Sequence, residues 1–226
     1  MNKPYIIVHM MSSIDGRIDC DMTAQLRGNK EYYDTLSAIN CPSNLSGRVT
    51  AETELTSGGK FEANNPKTIG KEAFSKNNEA TGYNIVVDTK GTLLWGDDAN
   101  ANQPHLIITS EQASKEYLDY LTKRHISWIA VGEKHIDLKR AMEILADEFD
   151  VERLSIVGGG HINGGMLEAG LVDEISLVIG PGVDGRGGET AVFDGMNKNS
   201  KPISLKVKDV KTYDDGAIWL RYLIEK

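Results

Sequence analysis

The chain has 226 residues, 40% of them apolar, and no long biased tract, so it can bury a sizeable core and is not a disordered or fibrous protein. Its formal net charge of −8 without a basic cluster excludes the usual electrostatic footprint of a nucleic-acid binder, while local amides and a few cations can still hold a small anion. Two cysteines without C-x-x-C, five scattered histidines without H-E-x-x-H and no apolar run of membrane length point to a reduced, cytoplasmic protein with no metal site, no signal peptide and no membrane span.

The first apolar run, residues 5–10, reads as a strand, and residues 32–39 as a helix. Residues 45–50 read as a short strand, followed at 57–81 by a Gly-, Asn- and Lys-rich stretch expected to be a surface excursion or helix-loop insert. Strands are then expected at 84–88 and 105–109, a helix at 110–123, a strand at 126–131 and a helix at 138–148. The run Leu154-Ser155-Ile156-Val157 is the next strand; Gly158, Gly159 and Gly160 follow it, and a helix covers 161–169. Residues 174–179 form a strand, and 204–212 and 217–224 are joined across Asp214-Asp215-Gly216 as a hairpin.

Short continuous apolar strands interleaved with helices imply a mostly parallel sheet covered on both faces, and the last pair adds antiparallel strands. The expected architecture is therefore a single three-layer α/β/α domain over residues 1–226, with a mostly parallel central sheet and a C-terminal antiparallel hairpin. Ligands collect at the carboxyl ends of such strands, where residues 10–15, 48–50, 88–90, 109–110 and 158–160 all fall.

The triple glycine carries most of the chemistry. Without Cβ atoms, Gly158, Gly159 and Gly160 let a ligand approach the main chain, and the unpaired amides of the helix that follows carry partial positive charge, a combination suited to phosphate. The same glycines also suit a tight connection with no ligand.

Four segments in order resemble a known family: Ser12-Ser13-Ile14-Asp15-Gly16-Arg17, Gly47-Arg48-Val49-Thr50, Val87-Asp88-Thr89-Lys90-Gly91 and Gly158 to Asn163. They are similar to dihydrofolate-reductase-like proteins, and within that fold to the C-terminal reductase domain of the bifunctional riboflavin biosynthesis protein, with the text Leu171-Val172-Asp173-Glu174 after the glycine turn. The resemblance implies an NADPH-dependent reductase acting on a small-molecule substrate, as 5-amino-6-(5-phosphoribosylamino)uracil reductase does. It also implies roles. The backbone of Gly158, Gly159, Gly160, His161, Ile162 and Asn163 would hold the pyrophosphate; Gly47, Arg48 and Thr50 would lie along the cofactor. Thr89 and Lys90 would meet the 2′-phosphate, where a hydroxyl and an ammonium suit a dianion better than a carboxylate would. Ser12 would contact the nicotinamide end, and Asp15 is the candidate catalytic residue there, with water or the substrate's own groups as other sources of the proton.

Departures fall on the substrate side. The family's Glu at the first position of the glycine turn is Gly158 here, its Ser-x-Trp-Ile segment is replaced by residues 19–28, and the acidic pair before Pro has become Ala51-Glu52-Thr53-Glu54-Leu55. Arg27, Lys30 and Lys60 are candidates to replace lost phosphate contacts. No H-x-E with P-C-x-x-C is present, so a stand-alone reductase is expected. A reductase of another small heterocycle and a non-catalytic nucleotide-binding module remain as alternatives. The family's habit of pairing implies a homodimer, for which Ala217-Ile218-Trp219-Leu220 offers an apolar edge, unless Trp219 packs in the core.

Overall fold

In a computed structural model the described residues are 2–56 and 58–225; Met1, Ser57 and Lys226 lie outside them, and with Ser57 the first residue of the expected excursion. The elements in chain order are β1 (Tyr5–Ser12), α1 (Cys20–Thr23), α2 (Asn29–Ala38), β2 (Ser43–Gly47), α3 (Arg48–Glu54), β3 (Ala73–Ser75), β4 (Asn84–Val87), β5 (His105–Thr109), α4 (Lys115–Lys123), β6 (Ser127–Ala130), α5 (Leu138–Phe149), β7 (Arg153–Gly158), α6 (Gly160–Glu168), β8 (Glu174–Ile179), β9 (Leu205–Thr212) and β10 (Ile218–Ile224). They group into two compact units, one built from Pro42–Glu152 with the N-terminal residues up to Pro4, the other from Tyr5–Cys41 and the chain from Arg153 onward.

In the unit of residues 42–152 the strands run β3-β6-β5-β4-β2, with β2, β4, β5 and β6 parallel and β3 antiparallel to β6. The described part of that stretch, 58–81, is thus neither a helix nor a free excursion. It contains β3, and its Phe61 and Ile69 pack against the core formed by Val86, Leu93, Trp95, Ile107, Tyr117, Leu121 and their neighbours. The helix expected from 110 begins only at 115, because the Ser114 hydroxyl caps the Tyr117 amide (3.1 Å) whereas Ser110 spends its hydroxyl on the Thr89 carbonyl (2.8 Å). The Asp137 carboxylate caps α5 in the same way at the Arg140 amide (3.1 Å).

In the other unit the order is β7-β1-β8-β10-β9; β7, β1 and β8 are parallel, and β10 is antiparallel to both β8 and β9. This corrects one expectation. Residues 217–220 offer no edge, since β10 is paired on both sides and Ala217 and Trp219 pack with Ile7, Ile39 and Val178. Trp219 also donates its indole N–H to Ser176 Oγ (2.8 Å), which frees the serine proton for His9 Nδ1 (2.9 Å) and leaves His9 Nε2–H to donate to the Tyr32 carbonyl (3.2 Å). Fully buried, His9 is neutral, its pKa pushed down to about 4 by loss of solvent. Glu174, also fully buried, is met by Lys208 (2.6 Å), Arg221 (2.6 Å) and the Tyr5 hydroxyl (3.1 Å), which satisfies its charge. Among the described residues no helix is long and apolar enough to cross a membrane.

Candidate functional site

In the unit of residues 42–152, Gly47 pairs with Val87 and Val87 with Ile108 in parallel register, so the chain leaves β2, β4 and β5 on one rim. This rim brings Gly47, Arg48 and Thr50 to the same side as Thr89 and Lys90. The strand expected over 45–50 stops at Gly47: the chain turns there in an extended conformation (φ −82°, ψ 166°) and Arg48–Glu54 coil as a helix, stitched by Arg48 onto Glu52 (2.5 Å). Arg48 therefore spends its charge within the helix, and Thr50 sits in the helix's first turn.

Beyond β4 the chain folds into a turn over Asp88–Gly91, closed by the Gly91 amide on the Asp88 carbonyl (3.1 Å). Asp88 itself faces inward and is fully buried; its carboxylate accepts from the Thr92 (2.6 Å) and Leu93 (3.0 Å) amides. The Thr89 carbonyl is held by the Ser110 amide (3.1 Å) and by the hydroxyls of Thr109 (3.0 Å) and Ser110 (2.8 Å). What the turn shows to solvent is Lys90, exposed and with no carboxylate paired to it among the described residues, and the half-exposed Thr89. The one acidic side chain of this turn is consumed as scaffold, which leaves a hydroxyl and an ammonium for an anionic guest.

In the other unit, β1 is parallel to β7 and β8, so Ser12 and Gly158 end their strands on one rim. Gly158 closes β7, and the Gly158–Gly159 peptide is cis. Gly159 caps α6 without a side chain, so the first amides of the helix have no side-chain acceptor from the cap. The expectation that amides as far as Asn163 serve a ligand is narrowed: the Asn163 amide makes the first i→i−4 bond of the helix, onto the Gly159 carbonyl (3.1 Å), and the Ile162 amide shares that carbonyl through a tighter i→i−3 bond (3.1 Å). The amides left for an anion are those of Gly160 and His161, and the His161 side chain is exposed. Asn163 is fully buried and turns its side-chain N–H to the Val192 carbonyl (2.7 Å), inside the protein.

Two of the helix's glycines answer to packing. A Cβ on Gly160 would stand 2.2 Å from the Ala191 carbonyl oxygen, and one on Gly164 would stand 2.0 Å from that of Asp194. Ser12 is buried at the end of β1. Asp15, in the exposed turn beyond it, accepts from the Ser13 hydroxyl (2.7 Å) and from the Asp184 (3.0 Å) and Gly185 (2.9 Å) amides, which hold its carboxyl well below the usual carboxylate range. Two residues that organise this rim had no role in the sequence reading: Arg17, quoted there only as the end of the first segment, whose guanidinium donates to the Glu189 carbonyl (2.5 Å), and Asp194, not singled out at all, whose amide reaches the Gly160 carbonyl (3.0 Å). The available signal was the glycine density of residues 180–188 directly after a strand.

Residues 4–219 match the family described as the RibD C-terminal domain. The chain is 27% identical over 205 residues to the 2,5-diamino-6-ribosylamino-4(3H)-pyrimidinone 5′-phosphate reductase of Archaeoglobus fulgidus, covering 85% of this chain and 87% of that one. It superposes on the crystal structure of a pyrimidine reductase-like protein of Corynebacterium diphtheriae with a TM-score of 0.73 at 17% identity, over 99% of this chain and 92% of that one. The riboflavin biosynthesis reductase Rib7 of Saccharomyces cerevisiae superposes with a TM-score of 0.64 at 19% identity, over 99% and 90%. These structural likenesses bear out the expected α/β fold with mostly parallel strands and antiparallel C-terminal ones.

Proposed function

The chain belongs to the RibD C-terminal domain family, and from that premise we propose that it reduces a ribosylaminopyrimidine 5′-phosphate to its ribitylamino form with NADPH, as one domain over residues 1–226. The observation that carries this reading is the family match along residues 4–219, which takes in all four segments that the sequence singled out. The Archaeoglobus relative is named for the 2,5-diamino-pyrimidinone, so that compound, in place of the uracil that the resemblance implied, is the first substrate to test.

A reductase of this family implies a nicotinamide cofactor, and the group supplies a hydride when bound. The protein's part is to bind, orient and exclude water. In this reading the Gly160 and His161 amides take the pyrophosphate, with the bare Gly159 leaving room for it. Thr89 and Lys90 take the 2′-phosphate; the inward Asp88, spent on the Thr92 and Leu93 amides, supports NADPH over NADH, because no carboxylate is offered to a free 2′-hydroxyl. Gly47, Arg48 and Thr50 flank the cofactor from their own strand end, and Ser12 meets the reacting end. Asp15, ionised and engaged by three donors, leaves the proton to water or to the substrate's own groups.

We further place the protein in the cytoplasm as a homodimer. Cysteine usage, Cys20 and Cys41 with no C-x-x-C, supports a reducing compartment, and the outer strand β9, with Leu205, Val207 and Val210 exposed, supports pairing in place of residues 217–220. The test is turnover. Purified protein should oxidise NADPH only when the diamino-ribosylaminopyrimidinone 5′-phosphate is added, with the ribitylamino product recovered; NADPH binding without turnover of this compound or its uracil counterpart would overturn the assignment.

A further inference from the structure

Between β8 and β9 the chain from Gly180 to Asp194 contains no helix or strand, yet it is fastened along its length. On one flank it is tied to the turn after β1. The Ile14 amide donates to the Gly182 carbonyl (2.8 Å), Asp15 accepts from the Asp184 and Gly185 amides, Ile18 donates to Thr190 (3.2 Å) and Val192 donates to Gly16 (3.1 Å). On the other flank it is tied to α6 through Asn163 on Val192 and Asp194 on Gly160. Gly160 and Gly164 lack the Cβ atoms that would push it away. The segment is a strap joining the turn beyond β1 to the first turns of α6, both on the ligand rim of their unit.

Two large apolar side chains stand out on the anchored part. Ile14 is 65% exposed and Val183 is 69% exposed, and the bond from Ile14 to Gly182 makes them neighbours along the two backbones. A scattered exposed aliphatic needs no explanation, but two on adjoining positions of backbones tied together at a strand's carboxyl end are placed to act as one small apolar platform. Beside the Ile14–Gly182 bond, Asp15 supplies the side-chain anchor nearest to both: it follows Ile14 in sequence, and it receives both backbone N–H groups that follow Val183.

Resting on the reductase reading above, we propose that Asp15 is a positioning residue: through the strap it holds Ile14 and Val183 as the apolar seat for the flat pyrimidine ring, and it transfers no proton. A flat heterocycle bound by its edges leaves its faces to be covered, and rigid aliphatic groups cover them without competing for hydrogen bonds. Asp15→Asn keeps one acceptor but turns an amide N–H toward a backbone N–H, so one of the two strap bonds is lost.

The test combines a ligand-free and a kinetic readout. Trypsin should cut after Arg186, in the strap, about tenfold faster in Asp15→Asn than in the wild type, because cleavage follows the population of the open segment. The KM for the pyrimidine substrate should rise about tenfold in Asp15→Asn and in Val183→Ser, with kcat within about threefold and the shape of its pH profile kept. Unchanged proteolysis and KM in Asp15→Asn overturn the proposal, as does a collapse of kcat with loss of one limb of the pH profile, which would make Asp15 a proton carrier. Faster proteolysis with an unchanged KM overturns the seat. A wild-type protein that turns over no pyrimidine is instead the failure of the reductase reading, and the proteolysis arm still decides whether Asp15 holds the strap.

Discussion

The chain passes from strand to helix through glycine on both ligand rims, once in each unit, and the two turns use the residue differently. At Gly47 the helix that follows is short, buries only Ala51 and is held by a surface pair, Arg48 with Glu52. At Gly158–Gly160 the helix is largely buried, and its glycines at 160 and 164 face the Ala191 and Asp194 carbonyls of the strap. Glycine in a strand-turn-helix string marks the close approach of something to the backbone. At α6 that something is in large part the protein itself, and only Gly159 and the first free amides remain for a ligand.

Three substitutions separate packing from binding. The largest effect is expected for Gly164→Ala: a methyl 2.0 Å from a backbone oxygen forces the strap off the helix, at a cost of about 3 kcal/mol. A shift in the denaturant midpoint measures it, and a wild-type midpoint would show that the strap yields freely. Next is Gly159→Asp. Its carboxylate would cap α6 from within, in effect an internal stand-in for the anion, so NADPH affinity should fall at least about 100-fold while thermal stability holds or rises by up to about 1 kcal/mol. An unchanged fluorescence titration would move the pyrophosphate elsewhere. The smallest is Lys90→Ala on the other rim, which should weaken NADPH relative to NADH by about 1 kcal/mol through loss of one charge-assisted contact. Equal losses with the two coenzymes would separate Lys90 from the 2′-phosphate.

Much of the element order was legible. The runs at 105–109 and 174–179 became β5 and β8 with the expected bounds, and the hairpin across 214–216 closes as expected, with the Tyr213 amide on the Ala217 carbonyl (2.9 Å). Boundaries failed where one serine or glycine had two employers. Ser110 reads as a helix start, but its hydroxyl holds the Thr89 turn; Gly47 reads as mid-strand, but the helix begins directly after it. For the candidate residues, the rims they occupy followed from the alternation of strands and helices, whereas their partners did not.

Apolar period, turn residues and motif order are properties of neighbouring residues, so the chain alone carried most element types, the mostly parallel strand arrangement and the family, but not α1, α3 or β3. Packing alone set Asp88 facing inward, Asn163 on the strap, β10 between two partner strands and Asp15 on a loop 169 residues away. A buried or engaged polar group is defined by the backbone that comes to meet it. That meeting depends on contacts remote along the chain, which no local pattern records.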